Sequence, residues 1–545
     1  MKKIKQGKEA RLKLKEGIDL VADIVKETLC PKGKNVIVQQ LNTYPRSLND
    51  GHYIAQNIQH DNPTINAGVE LLKAICKKTN DEAGDGTTTT AILAQKLVEL
   101  GLKDIEAGKN SVDVKNLLKG DLIHLLNKLK GYSKEVKTIE DIKNIATIAG
   151  NNDEEIGEAV KEIFNKVGWH ASIITEKTSR NKIETKTVKG IYFKQGYRDL
   201  QGFVNNSRKM TVDLEEVKVL CVDDTLKTLD DLTPFLTKVM EGIAGEGKVS
   251  WDLKLLIIAN DIHNNERVLQ FLADHNNWAL NRATQDKGKK TVGFHCAVVQ
   301  APFVGDEQSQ ILKDIAIATG GVCVNKELGF ALKDIDNPDQ ILGNAKRIIV
   351  EKDNTTILGG KASKDKLAKR IEMIKGEIDQ TKGINKKTKL QDRLDILMSG
   401  VGIIKAGGYT EIERQEKILR IEDAVLAVKS GIEEGICVGG GQTYWRLSKD
   451  AKTKYLKEAC LAIPKQIAKN AGKKVIDKTS DNIGYNALTD KFEDLEQAGI
   501  TDSTKVIRVA LEGAISFASM FLTTNSSIIE YEDKANRQQN NSQAY

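Results

Sequence analysis

The sequence predicts a multidomain α+β protein in which helical segments from both ends of the chain enclose an α/β middle. Three observations carry this. The chain has 545 residues, more than one hydrophobic core usually serves, so about three or four domains are expected. Apolar residues recur at helical spacing near the start of the chain and again from Ile421 onward. Between them lie the apolar runs Val217–Val222, Leu255–Ala259 and Ala297–Gln300, separated by helical segments, the pattern of buried strands in an α/β unit.

Taken in order, residues 8–29 place Leu12, Ile18, Leu20, Val21, Ile24 and Val25 at helical spacing. Val36-Ile37-Val38 reads as a short strand. Residues 64–78, 88–102 and 112–130 read as helices, the last through Val114, Leu117, Leu118, Leu122, Leu125, Leu126 and Leu129. After the α/β stretch, residues 362–398 form a Lys- and Glu-rich helical pattern, with Lys382-Gly383-Ile384-Asn385 as the turn of an antiparallel pair. The polar end from Glu532 to Tyr545 reads as disordered.

The chemistry concentrates in Asp81-Glu82-Ala83-Gly84-Asp85-Gly86-Thr87-Thr88-Thr89-Thr90. Gly84 and Gly86 take positive φ at little cost, which lets successive amides converge on an anion. The threonines stand where a helix begins, so their free N–H groups face the same anion. Asp85 is placed to hold a Mg²⁺ that bridges phosphate oxygens. A capped helix start after a surface turn is the alternative reading. A second glycine-rich stretch, Gly242–Lys248, nearly matches a P-loop. Val249 stands where the metal-binding Ser or Thr is required, and the stretch follows a helix (Pro234 to Met240), so it is set aside.

Composition excludes several classes. Apolar residues make up 40% and charged residues 29%, as in globular proteins; aromatics at 5% leave the cores to aliphatic side chains. A net charge of +6 makes no case for nucleic acid. No apolar run is long enough to cross a bilayer, and Met1-Lys2-Lys3 is not followed by the apolar stretch of a secretory signal. The seven cysteines (Cys30, Cys76, Cys221, Cys296, Cys323, Cys437 and Cys460) form no Cys-x-x-Cys pair. They read as free thiols of a reducing compartment such as the cytoplasm.

The decapeptide closely resembles the nucleotide-binding signature of the group I chaperonins, the GroEL type. The resemblance recurs in order along nearly the whole chain. Thr28–Val36 is similar to the family's first loop and Asn49-Asp50-Gly51 to its second. Ala301–Asp306 and Asp314–Ala316 resemble its apical core. Ala345–Arg347, Lys352–Thr356, Ile421–Ala424, Glu433–Ile436, Gly439–Gly441 and Gly484–Ala487 follow. This implies a chaperonin fold: a mainly helical equatorial domain from residues 1–131 and 434–531, an intermediate hinge domain from 132–188 and 402–433, an α/β apical domain from 189–401, and a tail, 532–545.

The resemblance further implies an ATPase that uses ATP and Mg²⁺, with K⁺ as a further cation, in a ring of identical subunits that folds non-native protein clients. Rings of seven, single or stacked in pairs, are expected, with no nucleic acid or membrane partner. Asp423 then orients the attacking water and Asp50 stands beside the γ-phosphate. Thr28, Leu29, Cys30, Pro31 and Asn49 meet the phosphates together with Asp85, Gly86, Thr87, Thr88 and Thr89. Gly440, Asn486, Ala487, Leu488 and Asp502 take the ribose and base. An apolar apical rim of Tyr197, Phe203, Leu236, Val268, Phe271 and Leu272 binds clients, although for the helical members a place in the core is an equal alternative.

This chain departs from the family pattern in places. Cys30 stands where the family usually has Gly, and Asn49 where a Lys is common. Arg198, Asp199, Gln201 and Thr233 make the rim more polar, and roughly a dozen extra residues lie near 274–291. Lys473 and Lys474 occupy positions where acids commonly meet the opposite ring, which disfavours ring stacking. The polar tail replaces a Gly-Gly-Met end. These departures suggest a divergent member, phage- or endosymbiont-encoded (in the first case working in the host cytoplasm), with altered client preference and altered use of a lid co-chaperonin. Two rival readings stay open: a chaperonin-fold scaffold with little ATPase activity, and a metabolic ATP-dependent enzyme.

Overall fold

The computed structural model describes residues 2–39, 45–169, 172–197, 201–206, 210–226, 229–244, 252–262, 271–272, 293–325, 329, 331–381, 383–398, 400–473, 479–481 and 483–530. The chain divides into two compact units. Unit 1 comprises residues 1–165, 175–185 and 404–545; unit 2 comprises 166–174 and 186–403. Unit 1 is therefore assembled from both ends of the chain.

Unit 1 opens with strand β1 (Lys2–Gln6) and helix α1 (Gly7–Val25), prolonged by a 3-10 turn, Lys26–Thr28. A hairpin of β2 (Val36–Val38) and β3 (Arg46–Leu48) follows. Next come α2 (Gly51–Gln56), α3 (Pro63–Ala83), α4 (Thr87–Glu106), α5 (Ser111–Tyr132), α6 (Ile139–Ala149) and α7 (Glu154–Val167). Helix α3 starts where its sequence says it must. Asn62 accepts from the Thr64 amide at 3.0 Å, and Pro63 fills the first helical position.

Unit 2 is built on a sheet. The chain crosses between the units inside β4 (Ser172–Lys177) and β5 (Glu184–Phe193). It then forms β6 (Val212–Leu226), α8 (Leu229–Ala244), β7 (Asp252–Ile262), β8 (Gly293–Gln300), α9 (Asp306–Thr319) and β9 (Cys323–Val324). Strands β6, β7 and β8 lie side by side in parallel, with β9 parallel on the other flank of β6. The three apolar runs of the sequence are the buried centres of these strands: Leu220, Ile257 and Val298 are fully buried. An antiparallel extension joins β10 (Gly343–Val350) to β6 and β11 (Thr355–Leu358) to β10. Helices α10 (Lys364–Gln380) and α11 (Ile384–Met398) are the charged pair read from the sequence. The near-P-loop begins within the end of α8; residues 245–249 lie outside the described ones.

The chain returns to unit 1 inside β12 (Gly400–Ala406). It continues with α12 (Glu411–Glu434), β13 (Ile436–Val438), α13 (Gln442–Asp450), α14 (Lys454–Asn470), the hairpin β14 (Gly484–Asn486) and β15 (Lys491–Glu493), β16 (Thr501–Ser503), α15 (Thr504–Leu522) and β17 (Ser526–Glu530). Strand β17 pairs antiparallel with β1, Ile4 opposite Ile528. The unit 1 core draws on both ends: Ile18, Leu72 and Leu97 pack in one cluster with Leu447, Leu456 and Phe517. All seven cysteines are free thiols, five of them buried. Among the described residues no helix is long and apolar enough to cross a membrane.

Candidate functional site

A cavity of about 250 Å³ opens in unit 1 where the starts of α2 and α4 meet α12, β16 and the loop after the first 3-10 turn. The signature decapeptide folds as its residues require. Gly84 ends α3 at φ 76° and Gly86 caps α4 at φ 91°, both left-handed. Gly86 has no side chain to offer the helix start, and the first internal bond of α4 runs from the Thr90 amide to the Gly86 carbonyl. The amides of Thr87, Thr88 and Thr89 thus lack helical partners and stand at the positive end of the helix dipole. The Asp85 carboxylate accepts from the Gly86 amide at 2.5 Å.

Four carboxylates line this cavity (Asp50, Asp85, Asp423 and Asp502) against one guanidinium, Arg420. Asp50 caps α2, accepting from the amides of His52 at 2.9 Å and Tyr53 at 3.2 Å. Asp85 is open to the cavity, yet the surrounding protein pushes its carboxyl above the ordinary range, and the charge of Asp50 adds to this. Asp423 is pushed up more strongly, by burial first and then by Asp50, Asp85 and Glu422. Asp502 is raised to about 7, by burial and by Asp85.

The first loop passes this cavity in a strained form. Cys30 has φ 72°, a left-handed conformation that glycine adopts freely and other residues rarely. The loop keeps that backbone even with a side chain on it, and the Cys30 thiol reaches the Ile467 carbonyl at 3.8 Å. Asn470 holds the loop from α14, donating to the carbonyls of Lys26 and Leu29, both at 2.9 Å. Burial raises the Cys30 thiol above its usual pKa.

Most of the sequence-read positions meet here. Thr28, Leu29, Cys30, Pro31, Asn49, Asp50, Asp85–Thr89, Asp423, Gly440, Asn486, Ala487 and Asp502 all line the cavity. Leu488 does not line it: its side chain is 57% exposed and its amide closes a turn on Asn486 Oδ1 at 2.9 Å. That turn also occupies the Asn486 side chain, whose Nδ2 donates to Glu493 at 2.6 Å. The sequence reading missed Tyr444, Arg420 and the pair Asn151 and Asn152, all of which line the cavity. Arg420 sits one turn before Asp423 on α12 and pairs with Asp153 at 3.4 Å and Glu416 at 2.6 Å. Its i, i+3 spacing from Asp423 was the available signal. Asn151 and Asn152 sit at φ 62° and 59°, which asparagine tolerates better than most residues.

The client-rim expectation needs correction in unit 2. Phe203, Leu236 and Leu272 are 2%, 6% and 1% exposed, and all three belong to the hydrophobic core. Phe271 is half-buried against that core. Tyr197 is half-buried too, its hydroxyl donating to the Met210 carbonyl at 3.0 Å. Val268, Arg198, Asp199 and the 274–291 segment lie outside the described residues. Lys473, read as standing where acids commonly meet the opposite ring, lies 3.0 Å from Asp490 of its own chain; Lys474 is outside the described residues.

Over residues 21–532 the sequence matches the TCP-1/cpn60 chaperonin family, and the chain belongs to that family. The structure is similar to that of the chaperonin gp146 from bacteriophage EL 2 (Pseudomonas aeruginosa), crystallised in the presence of ATP-BeFx. Against its crystal form II the TM-score is 0.67 at 18% identity, covering 97% of this chain and 99% of that one. Against crystal form I the TM-score is 0.60 at 19% identity, with the same coverage of 97% and 99%. At such identity the likeness shows a shared fold.

Proposed function

We propose that this member of the TCP-1/cpn60 chaperonin family hydrolyses ATP to drive a ring of identical subunits through a cycle that binds non-native proteins and promotes their folding. The observation that carries the reading is one cavity shared by Asp423 of α12, Asp85 of the signature turn and the open first turn of α4.

The residues fit a nucleotide bound together with cations. Four acids against one Arg would repel a polyphosphate, and among the described residues no His, Cys, Asp or Glu cluster forms a cage that would hold a metal alone. Mg²⁺ is commonly held by one or two carboxylates, with phosphates and water completing its shell. Asp85 is the residue that would hold it, with K⁺ as a further counter-charge. When bound, the metal would offset phosphate charge.

The remaining roles belong to the chain. The free amides of Thr87, Thr88 and Thr89 bind phosphate oxygens, and the backbone of Thr28–Pro31 meets them from the other side. Gly440, Ala487 and Asp502 serve the nucleoside, with Asn486 contributing mainly backbone because its side chain is committed to a turn. Asp423 and Asp50 accept hydrogen bonds from the attacking water and orient it; neither is a nucleophile. Because Asp423 rides on α12, nucleotide contacts favour the conformation in which that helix faces the cavity. This is a population shift that the attached hinge segments can transmit.

We assign a seven-membered ring, an ATP-modulated client surface on residues 189–401, and a reducing compartment such as the cytoplasm. The purified chain should turn over ATP and restore activity to a chemically unfolded client enzyme only when Mg·ATP is present. Asp423→Ala should still bind nucleotide while turnover falls roughly 100-fold or more. Unchanged turnover in that variant would remove Asp423 from the mechanism.

A further inference from the structure

The open amides of α4 can hold phosphate only if the first turn of that helix keeps its place, yet Gly86 gives the turn no side-chain cap. Helix α3 braces it instead. Two buried hydroxyls meet between the helices: Thr79 Oγ1 of α3 and Thr90 Oγ1 of α4 lie 3.1 Å apart. Thr79 is 1% exposed and Thr90 is 0% exposed. Helix α15 closes over the pair at Gly513, where a Cβ would stand 3.5 Å from Thr79 Oγ1 and 3.7 Å from Thr90 Cγ2. The Thr79 methyl lies against the signature turn, 3.5 Å from where a Cβ on Gly86 would stand. One turn back on α3, Cys76 Sγ lies 3.8 Å from the Thr87 carbonyl.

Each hydroxyl has one hydrogen to give. Thr79 Oγ1 also lies 3.1 Å from the Ile75 carbonyl on its own helix. Both hydrogens find acceptors in one arrangement: Thr79 donates to Ile75, and Thr90 donates to Thr79. The direction matters. A helical threonine can turn its hydroxyl back onto the carbonyl four residues earlier, and doing so bends the helix. For Thr90 that carbonyl belongs to Gly86, which already accepts the Thr90 amide at 2.9 Å. By taking the Thr90 hydrogen, Thr79 leaves the Gly86 carbonyl to the backbone bond and the first turn of α4 undistorted.

We propose that Thr79 is a positioning residue for the nucleotide: as acceptor of the Thr90 hydroxyl it keeps the amides of Thr87, Thr88 and Thr89 aligned on the phosphates. It does so from behind the site. Neither Thr79 nor Thr90 lines the cavity, whereas Gly86, Thr87, Thr88 and Thr89 do. This rests on the nucleotide reading of the cavity.

The test is calorimetric titration of full-length variants with Mg·ADP, at a temperature where each is folded, beside their melting temperatures without nucleotide. Thr79→Val keeps the shape but removes the acceptor, so Thr90 turns back on the Gly86 carbonyl; Kd should rise about 3- to 10-fold, the worth of one hydrogen bond. Thr90→Val removes the competing hydroxyl and leaves Thr79 bonded to Ile75, so Kd should stay within about twofold of wild type. The double variant Thr79→Val with Thr90→Val should return to that same range, because an apolar pair replaces a polar one. Thr79→Ser keeps the hydroxyl and should bind like wild type. A merely structural pair gives lower melting temperatures with equal Kd values throughout, and that result overturns the proposal. A double variant that binds no better than Thr79→Val overturns it too. Should Thr79→Val not fold, a raised Kd in Thr90→Val does the same. If the wild-type chain binds no Mg·ADP, the reading of the cavity falls and the proposal falls with it.

Discussion

Leu426 of α12 occupies the space that a side chain at residue 84 would need: a Cβ on Gly84 would lie 2.1 Å from the Leu426 Cβ. Farther along the same helix, the Ser430 hydroxyl donates to the Ala83 carbonyl at 2.9 Å. The helix that carries Asp423 therefore rests directly on the turn that carries Asp85, and it can do so because residue 84 is bare. Two side chains distant in sequence reach one cavity through this contact.

Gly84→Ala should push α12 away from the turn and force a left-handed φ of 76° on a residue that resists it. Turnover should fall about 100-fold, the usual cost of displacing a catalytic group by about an ångström. Nucleotide affinity should change less. Adding Leu426→Gly to that variant should restore part of the turnover, since it removes the colliding Cβ. Steady-state ATPase assays on the single and double variants decide this; no rescue would mean that the backbone strain, and not the collision, causes the loss.

Cys30 supplies a second test. Its φ of 72° costs a non-glycine residue about 1–2 kcal/mol. Cys30→Gly should retain nucleotide affinity and lie within about 1 kcal/mol of wild-type stability, because strain relief is offset by greater freedom of the unfolded chain. Cys30→Val should be clearly less stable, since β-branching makes the left-handed region worse. The order Gly at or above Cys, and Cys above Val, is read from melting temperatures; Val equal to Cys would show that the loop is not left-handed.

Asp502 predicts a pH effect. Its carboxyl rises on folding from about 4 to about 7. An acid raised in this way favours the folded state at pH below its unfolded value, and that contribution is lost as the pH climbs to the folded value. Asp502→Asn cannot ionise, so its stability advantage over wild type should grow from pH 4 to pH 7 and then level off. Chemical denaturation midpoints across that range test it, and a constant difference would contradict it.

The metal assignment is checked by titration. In the wild-type chain, chelating Mg²⁺ should weaken nucleotide binding by tenfold or more, about 1.4 kcal/mol. In Asp85→Ala, affinity should already be low and should respond little to chelation. A variant that keeps full Mg²⁺ dependence would move the ion to another carboxylate.

The sequence was most legible where local chemistry decides the backbone. Gly84 and Gly86 announced their left-handed turns, and the four threonines announced the start of α4. The apolar runs at 217–222, 255–259 and 297–300 announced three buried strands. Two kinds of feature were hidden. Tyr444, three residues after Gly441, carries no motif of its own, and only the folded chain brings it to the cavity wall. The apolar side chains of Phe203, Leu236 and Leu272 match a rim and a core equally well, because hydrophobicity says that a residue avoids water but not which surface covers it. Leu488 adjoins two cavity residues, but the turn closed by Asn486 sends its side chain outward.

The central claim, an ATP-driven ring, is tested most directly by the native mass of the purified protein with and without Mg·ATP. One ring of seven 60.1 kDa chains has a mass of roughly 420 kDa, and a stacked pair twice that, as closed cyclic assemblies. The account predicts one of these masses, with the nucleotide shifting shape or stacking. A 60.1 kDa monomer under both conditions would contradict it, because no closed chamber and no cycle shared between subunits could then exist.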